Sequence, residues 1–241
     1  MVLVGASFGQ INRTVYNADK AMKAKDYATA ANLYADALKE NDSKNWYYVF
    51  YKKAYCHYSL SQFAQAEVYI KKALKVKKND AQYHWLMGNS NWLYARIFSK
   101  QGDIEKSLNY LRTATKYINE SLLYSTIAYE EIALKQYEKA LVNLNLAIEL
   151  DSTNAYAFSN RALLYIYQKK YDEARLDIDE SKKLDAKNPY VFKHSAMLYI
   201  ELNQIDMACL ELTIADALDY ASFGNEADSN EVVELKEQYC K

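Results

Sequence analysis

Apolar and small residues return along this chain at spacings of three and four, the period of a helix with one buried face. The pattern is clearest from Ala155 to Asn188, a stretch of thirty-four residues. Phe158, Ala162 and Tyr165 share one face of a first helix there, and Tyr171, Ala174, Ile178 and Ser181 share one face of a second. Small residues fall where two helices must approach closely, and large ones fill the space beside them. The stretch therefore predicts two helices joined by a tight turn.

The same unit recurs along most of the chain. A small residue stands at Ala18, Ala54, Ala95, Ala128, Ala162 and Ala196. Twelve positions later, every time, stands a second one: Ala30, Ala66, Ser107, Ala140, Ala174 and Ala208. A large apolar residue precedes the latter by three, at Tyr27, Phe63, Ile104, Tyr137, Tyr171 and Ile205, and a small one follows by seven, at Ala37, Ala73, Ala114, Ala147, Ser181 and Ala215. Six units agreeing at four positions predict helix pairs that each pack on their neighbours.

Within each unit the order is large at position 4, small at 8, aromatic at 11 and 17, small at 20, large at 24 and small at 27. This resembles the tetratricopeptide repeat closely, with Ala186 where the family usually has proline at position 32. The resemblance covers about residues 11 to 222. It implies an all-α fold, a right-handed superhelical solenoid of six helix-turn-helix units at about 11–44, 47–80, 81–120, 121–154, 155–188 and 189–222. Residues 223–241 would add a loop and a capping helix, with Ser229 capping that helix from about Asn230. It also implies a non-enzymatic scaffold for protein–protein interaction, because this fold carries partner sites rather than one chemistry.

In that family the first helix of each repeat lines the concave face, mainly through positions 2, 5, 9 and 12. Carried over, these are Tyr48, Tyr51, Tyr55 and Tyr58 in the second unit, and Gln82, Trp85, Asn89 and Trp92 in the third. The first unit contributes Asn12, Val15, Asp19 and Met22, and the fourth contributes Leu122, Ser125, Tyr129 and Ile132. The implied groove is aromatic in its second and third units. Tyr48, Tyr51, Tyr55, Tyr58, Trp85, Asn89, Trp92 and Tyr129 are the candidate contacts for a peptide segment or helix of a partner protein. Large aromatics with a polar tip dominate many such interfaces. The competing reading is that neighbouring side chains or an overhanging helix cover them. A chaperone-tail clamp is not implied: Asn160 matches its pattern, but Ser125, Tyr129, Tyr190 and His194 do not.

The cadence breaks once. Ala66 to Ser107 is 41 residues, seven more than the repeat, and the extra segment doubles a local motif, Trp85-Leu86-Met87-Gly88 and then Trp92-Leu93-Tyr94-Ala95. Seven residues are close to two helical turns, so the faces are kept. One long helix is expected from about Asp80 to Lys100, overhanging its neighbours by about 10 Å, with Gln101-Gly102-Asp103 turning the chain. A smaller insert, Asn45-Trp46, precedes the second unit.

The net charge of −1 hides a division. Residues 1–120 carry 18 Lys or Arg against 10 Asp or Glu, and the remainder carries 12 against 21. A basic front and an acidic back give an alternative, a self-associating structural protein; a small-ligand (glycan) binder is a further one. The basic run KKALKVKK suits a helix C-terminus as well as a ligand, and the acidic second half argues against nucleic acid as a partner. No window of eighteen residues is continuously apolar, so no membrane span is expected.

Catalysis, cofactors and metals find no pattern. The five glycines are too scattered for a phosphate-cradling loop. His57, His84 and His194 lie far apart without ligand spacing, and His57 and His84 fall on packing positions. Cys56 reads as a small core residue, while Cys209 and Cys240 come close if the last helix folds back. Residues 1–10 stand outside the repeat. Their apolar run with Ser7 and Gly9 before Gln10 fits the remnant of a secretory signal, which places the protein in the periplasm or outside the cell; a disordered tail and a cytoplasmic location are the alternative.

Overall fold

The computed structural model describes residues 3–40, 47–75, 81–218 and 226–240, and every element among them is a helix. The chain forms two compact units, Met1–Ile118 and Asn119–Lys241. In the first, α1 (Leu3–Lys23) pairs with α2 (Tyr27–Glu40), α3 (Tyr47–Ser59) with α4 (Phe63–Leu74), and α5 (Ala81–Lys100) with α6 (Ile104–Ala114). In the second, α7 (Ser121–Ala133) pairs with α8 (Tyr137–Leu150), α9 (Ala155–Tyr167) with α10 (Tyr171–Leu184), and α11 (Pro189–Glu201) with α12 (Ile205–Ala217). A final helix, α13 (Glu226–Tyr239), packs on α12. The Asn45-Trp46 insert, Lys77 and Lys78 of the basic run, and the expected loop at Ser222 lie outside the described residues. Ser229 lies inside α13 rather than capping it, because that helix starts at Glu226.

The recurring small residues explain the pairing. All eighteen of them are at most 1 % exposed. Without a long side chain between them, two helix backbones can close to contact, and the large residues at neighbouring positions then fill the flanks. Enlarging such a site would overpack it, at a typical cost of about 1–3 kcal/mol. The residues three before the second small position, from Tyr27 to Ile205, each begin the second helix of their pair.

Each turn inside a pair is built the same way. One residue takes left-handed backbone geometry: Lys25, Ser61, Gly102, Lys135, Lys169 and Asn203, with φ between 56° and 79°. The next backbone N–H then reaches back five residues to a helix carbonyl, as in Gln136 N–H to the Glu131 carbonyl at 2.8 Å and Asp103 N–H to that of Phe98 at 2.9 Å. This satisfies carbonyls that the helix end would leave bare. Asp26 and Asp103 then cap the next helix, their carboxylates accepting from the Thr29 and Lys106 N–H groups.

The long third-unit helix is present as α5, at 20 residues against 13 in α3. Its extension is covered by the chain that follows α6. Ile118 lies so close to Gly88 that a Cβ there would sit 2.5 Å from its Cγ2. His84, expected in the core, is exposed instead. The insertion carries it onto the extension, where its ring lies 6.2 Å from Tyr83 and 6.0 Å from Tyr117. Cys56 is fully buried, and desolvation pushes its thiol up to about 12, which leaves it inert.

The second unit adds buried polar ties. Arg161 grips the buried Asp177 carboxylate through two bonds of 2.8 Å. Asn154 caps α9 and bonds the Ser121 hydroxyl, which itself donates to the Ala147 carbonyl. Cys209 and Cys240 form a disulfide that fastens the end of α13 to α12. His194 is fully buried, its Nδ1 3.0 Å from the Ser159 carbonyl. A carbonyl only accepts, so Nδ1 carries the proton and Nε2 is a bare buried acceptor without a partner.

Two outcomes follow for stability. Burial holds the His194 pKa well below its ordinary value, so the folded state stays neutral there while the unfolded chain takes up a proton near pH 6.5. Stability is therefore complete above that pH and is lost as pH falls below it, by about 1–2 kcal/mol between pH 7 and 5. Urea unfolding at several pH values should show that slope, and His194→Gln should flatten it. Replacing Cys209 with Ser opens a loop with a sequence separation of 31; it should cost the second unit about 3–4 kcal/mol, visible as a lower denaturation midpoint, if the bridge acts through the unfolded chain.

Candidate functional site

In the first unit, α3 and α5 lie side by side and carry seven of the eight candidate residues. Tyr51 and Tyr58 are buried and belong to the core cluster between α3, α4 and α5. Tyr55, Asn89 and Trp92 are half-buried. Tyr48 and Trp85 are the exposed pair, at 36 % and 38 %, with ring centroids 6.4 Å apart. Trp85 and Tyr51 meet edge to face, with centroids 5.1 Å apart and planes at 78°. Buried aromatic rings thus support exposed ones. Asn89 spends its amide on its own helix, donating to the Trp85 carbonyl at 2.9 Å.

The two ends of this face differ in charge. At the α3 N-terminal end, Asp19 of α1 accepts hydrogen bonds from the hydroxyls of Tyr34 and Tyr48, the latter at 3.3 Å. Burial and that carboxylate push the Tyr48 hydroxyl up to about 12. At the other end, the Arg96 guanidinium lies 4.6 Å from the Tyr58 ring centroid and 5.7 Å from that of Tyr55. Burial raises the Tyr58 pKa, and Arg96 pulls against it. Lys100 stands 5.6 Å from the same Tyr58 ring. Such cation–π contacts hold a cation in place without neutralising it. Arg96 is exposed, and among the described residues no carboxylate pairs with it. Sequence reasoning passed over it because the third unit was counted from residue 81; counted with Ala95 at position 8, as in the other units, Arg96 stands at position 9. The signal was present: Arg96 follows Trp92 by four and Trp85 by eleven, which is one helix face.

Tyr129 belongs to the second unit. It lines a cavity of about 200 Å³ with Leu163, Tyr167, Met197, Lys193 and Glu231. Lys193 is buried there and pairs with Glu231 of α13 at 2.8 Å. Tyr167 is exposed at the rim and stacks on Tyr137 at 6.1 Å. The cavity has mixed walls, aliphatic side chains beside three tyrosines, Lys135 and the ion pair, without an arrangement of nucleophile and base. No helix among the described residues is long and apolar enough to cross a membrane.

Comparison with known proteins bears on the repeats and on the fold. The family model for the tetratricopeptide repeat matches residues 47–80 and 88–120. No curated protein matches the sequence. Among solved structures, the APC/C hetero-tetramer Cut9-Hcn1 superposes with a TM-score of 0.73 at 13% identity, over 96% of this chain and 45% of that one. The chain thus spans less than half the length of that relative. PilW, a type IV pilus biogenesis factor, gives 0.68 at 16% identity, over 86% of this chain and 92% of its own. YrrB, described as a tetratricopeptide-repeat protein with an unusual peptide-binding site, gives 0.51 at 17% identity, over 86% and 99%. At these identities the likeness is one of fold. Residues 47–80 and 88–120, in α3 to α6, thus match the tetratricopeptide repeat, and the chain as a whole shares the helix-pair fold of these structures.

Proposed function

We propose that this protein is a non-enzymatic scaffold that binds a peptide segment or helix of another protein on the α3–α5 face of its first unit. The fold itself supports protein–protein interaction in general. The observation that carries the finer reading is the exposed Tyr48–Trp85 pair resting on buried Tyr51. Exposed aromatics fixed by a rigid base contribute contact area at little entropic cost, the property of interface hot spots. YrrB, which is similar in fold, is described as having a peptide-binding site.

We further propose that the protein works in an oxidising compartment, the periplasm or the cell exterior. The Cys209–Cys240 bridge supports this, since such bonds persist where thiols are not kept reduced. The apolar run near the start of the chain points the same way.

Two experiments test these readings. Tyr48→Ala with Trp85→Ala should weaken partner capture from native extract by tenfold or more, with the helical circular-dichroism signal retained; capture at the wild-type level would sink the assignment of the face. Protein taken from its native compartment and denatured at once, without reductant, in the presence of a thiol-labelling reagent should take up one label per chain, at Cys56. Three labels per chain would instead indicate a reducing compartment.

A further inference from the structure

The aromatic face of the first unit has a polarity. Asp19 marks one end, beside Tyr48, and Arg96 with Lys100 marks the other, beside Tyr58. The Asp19 carboxylate is occupied by two tyrosine hydroxyls. The Arg96 guanidinium donates to the Tyr55 and Tyr58 hydroxyls, neutral groups that leave its charge uncompensated. It is exposed, pairs with no carboxylate among the described residues, and is held against two rings that restrict its orientation but leave its charge in place. A planar guanidinium has five N–H donors, more than two hydroxyls use, and a fixed guanidinium is preset for a carboxylate. Holding it in advance lowers the ordering cost of binding.

We propose that this face reads an acidic segment of a partner protein, in which a carboxylate side chain meets Arg96 while an aromatic or large aliphatic side chain meets Tyr48 and Trp85. The inference rests on the peptide-binding reading given above and deepens it. Trp85 and Arg96 are eleven residues apart on α5, which is about 16 Å along the helix. An extended peptide covers that distance in about five residues. The recognised spacing is therefore an apolar residue and an Asp or Glu about five positions apart, with the acidic residue kept away from the Asp19 end by repulsion.

The probe is a random short-peptide library displayed on phage and selected on the immobilised full chain, its Arg96→Gln variant and its Trp85→Ala variant. Selection on the wild type should enrich sequences with that spacing. The Arg96→Gln protein should retain the apolar preference and lose the acidic one, and a synthetic consensus peptide should bind it roughly tenfold to a hundredfold more weakly. Arg96→Glu should shift the preference toward Lys or Arg, a change that loss of fold would not produce. Apolar sequences enriched without an acidic residue, equally on wild type and Arg96→Gln, would overturn this inference and leave the peptide-binding reading standing. No enrichment on any of the proteins would overturn both. A salt-sensitive dimer in sedimentation that Arg96→Gln abolishes would give the guanidinium to a second copy of this chain. Binding of a labelled single-stranded oligonucleotide that the same variant abolishes would give it to phosphate. Either result would replace the proposal.

Discussion

Close approach of helix backbones is the constraint on which the rest of this structure depends. Three small side chains per unit, from Ala18 and Ala30 through to Ala208 and Ala215, are shut off from solvent almost completely. They contribute little apolar area of their own. Their effect is permissive, because they set the distance between helices, and the distance decides which large side chains can meet. Ile70, Leu86 and Ile97 in the first unit, and Leu144, Leu164 and Leu212 in the second, are fully buried because the alanines between them allow it.

The two units use that frame differently. The first is rich in aromatic and cationic contacts. Besides the α3–α5 face, Lys53 stands 4.4 Å above the Tyr69 ring and Tyr94 stacks on Tyr110 at 4.9 Å. The second is tied by ion pairs and hydrogen bonds between its helices: Arg161 with Asp177, Lys182 with Glu211, Lys193 with Glu231. Partner contact needs surface energy that is not already spent internally. In the second unit the prominent cations have carboxylates of their own. In the first, Arg96 has only the rings and hydroxyls of Tyr55 and Tyr58. That contrast, rather than the count of tyrosines, separates the two surfaces.

Much of the fold was legible because it rests on local spacing. The twelve-residue interval between small positions, the turn at Gln101-Gly102-Asp103 and the lengthened α5 all follow from helical period and turn chemistry. What stayed hidden depends on residues distant in sequence. Period places Tyr51 and Tyr58 on the same face as Tyr48, but whether a side chain on that face is covered depends on the next helix. Trp85 and the rest of α5 cover Tyr51, and the packing around Ala54, Ala66 and Leu93 draws Tyr58 inward. The helical period placed His84 in the core too, and the extension took it out. The Cys209–Cys240 bond needed the return path of α13, which no local pattern encodes. Arg96 was overlooked for a different reason: family positions were carried over from a helix of ordinary length onto one that is longer.

That longer helix separates two properties that usually change together. A helix lengthened by three or four residues turns its distal side chains by a sizeable angle, so reach is gained only by re-aiming whatever lies beyond the insertion. A heptad advances the chain by about 10 Å and turns it by only about 20°. In α5, at 20 residues against 13 in α3, this puts Trp85 one heptad before Trp92 on the line that runs on to Arg96. Reach along the face and direction across it have become independent variables. A repeat protein with this freedom can change the length of the sequence it recognises in steps of one heptad, while its internal packing is left in register.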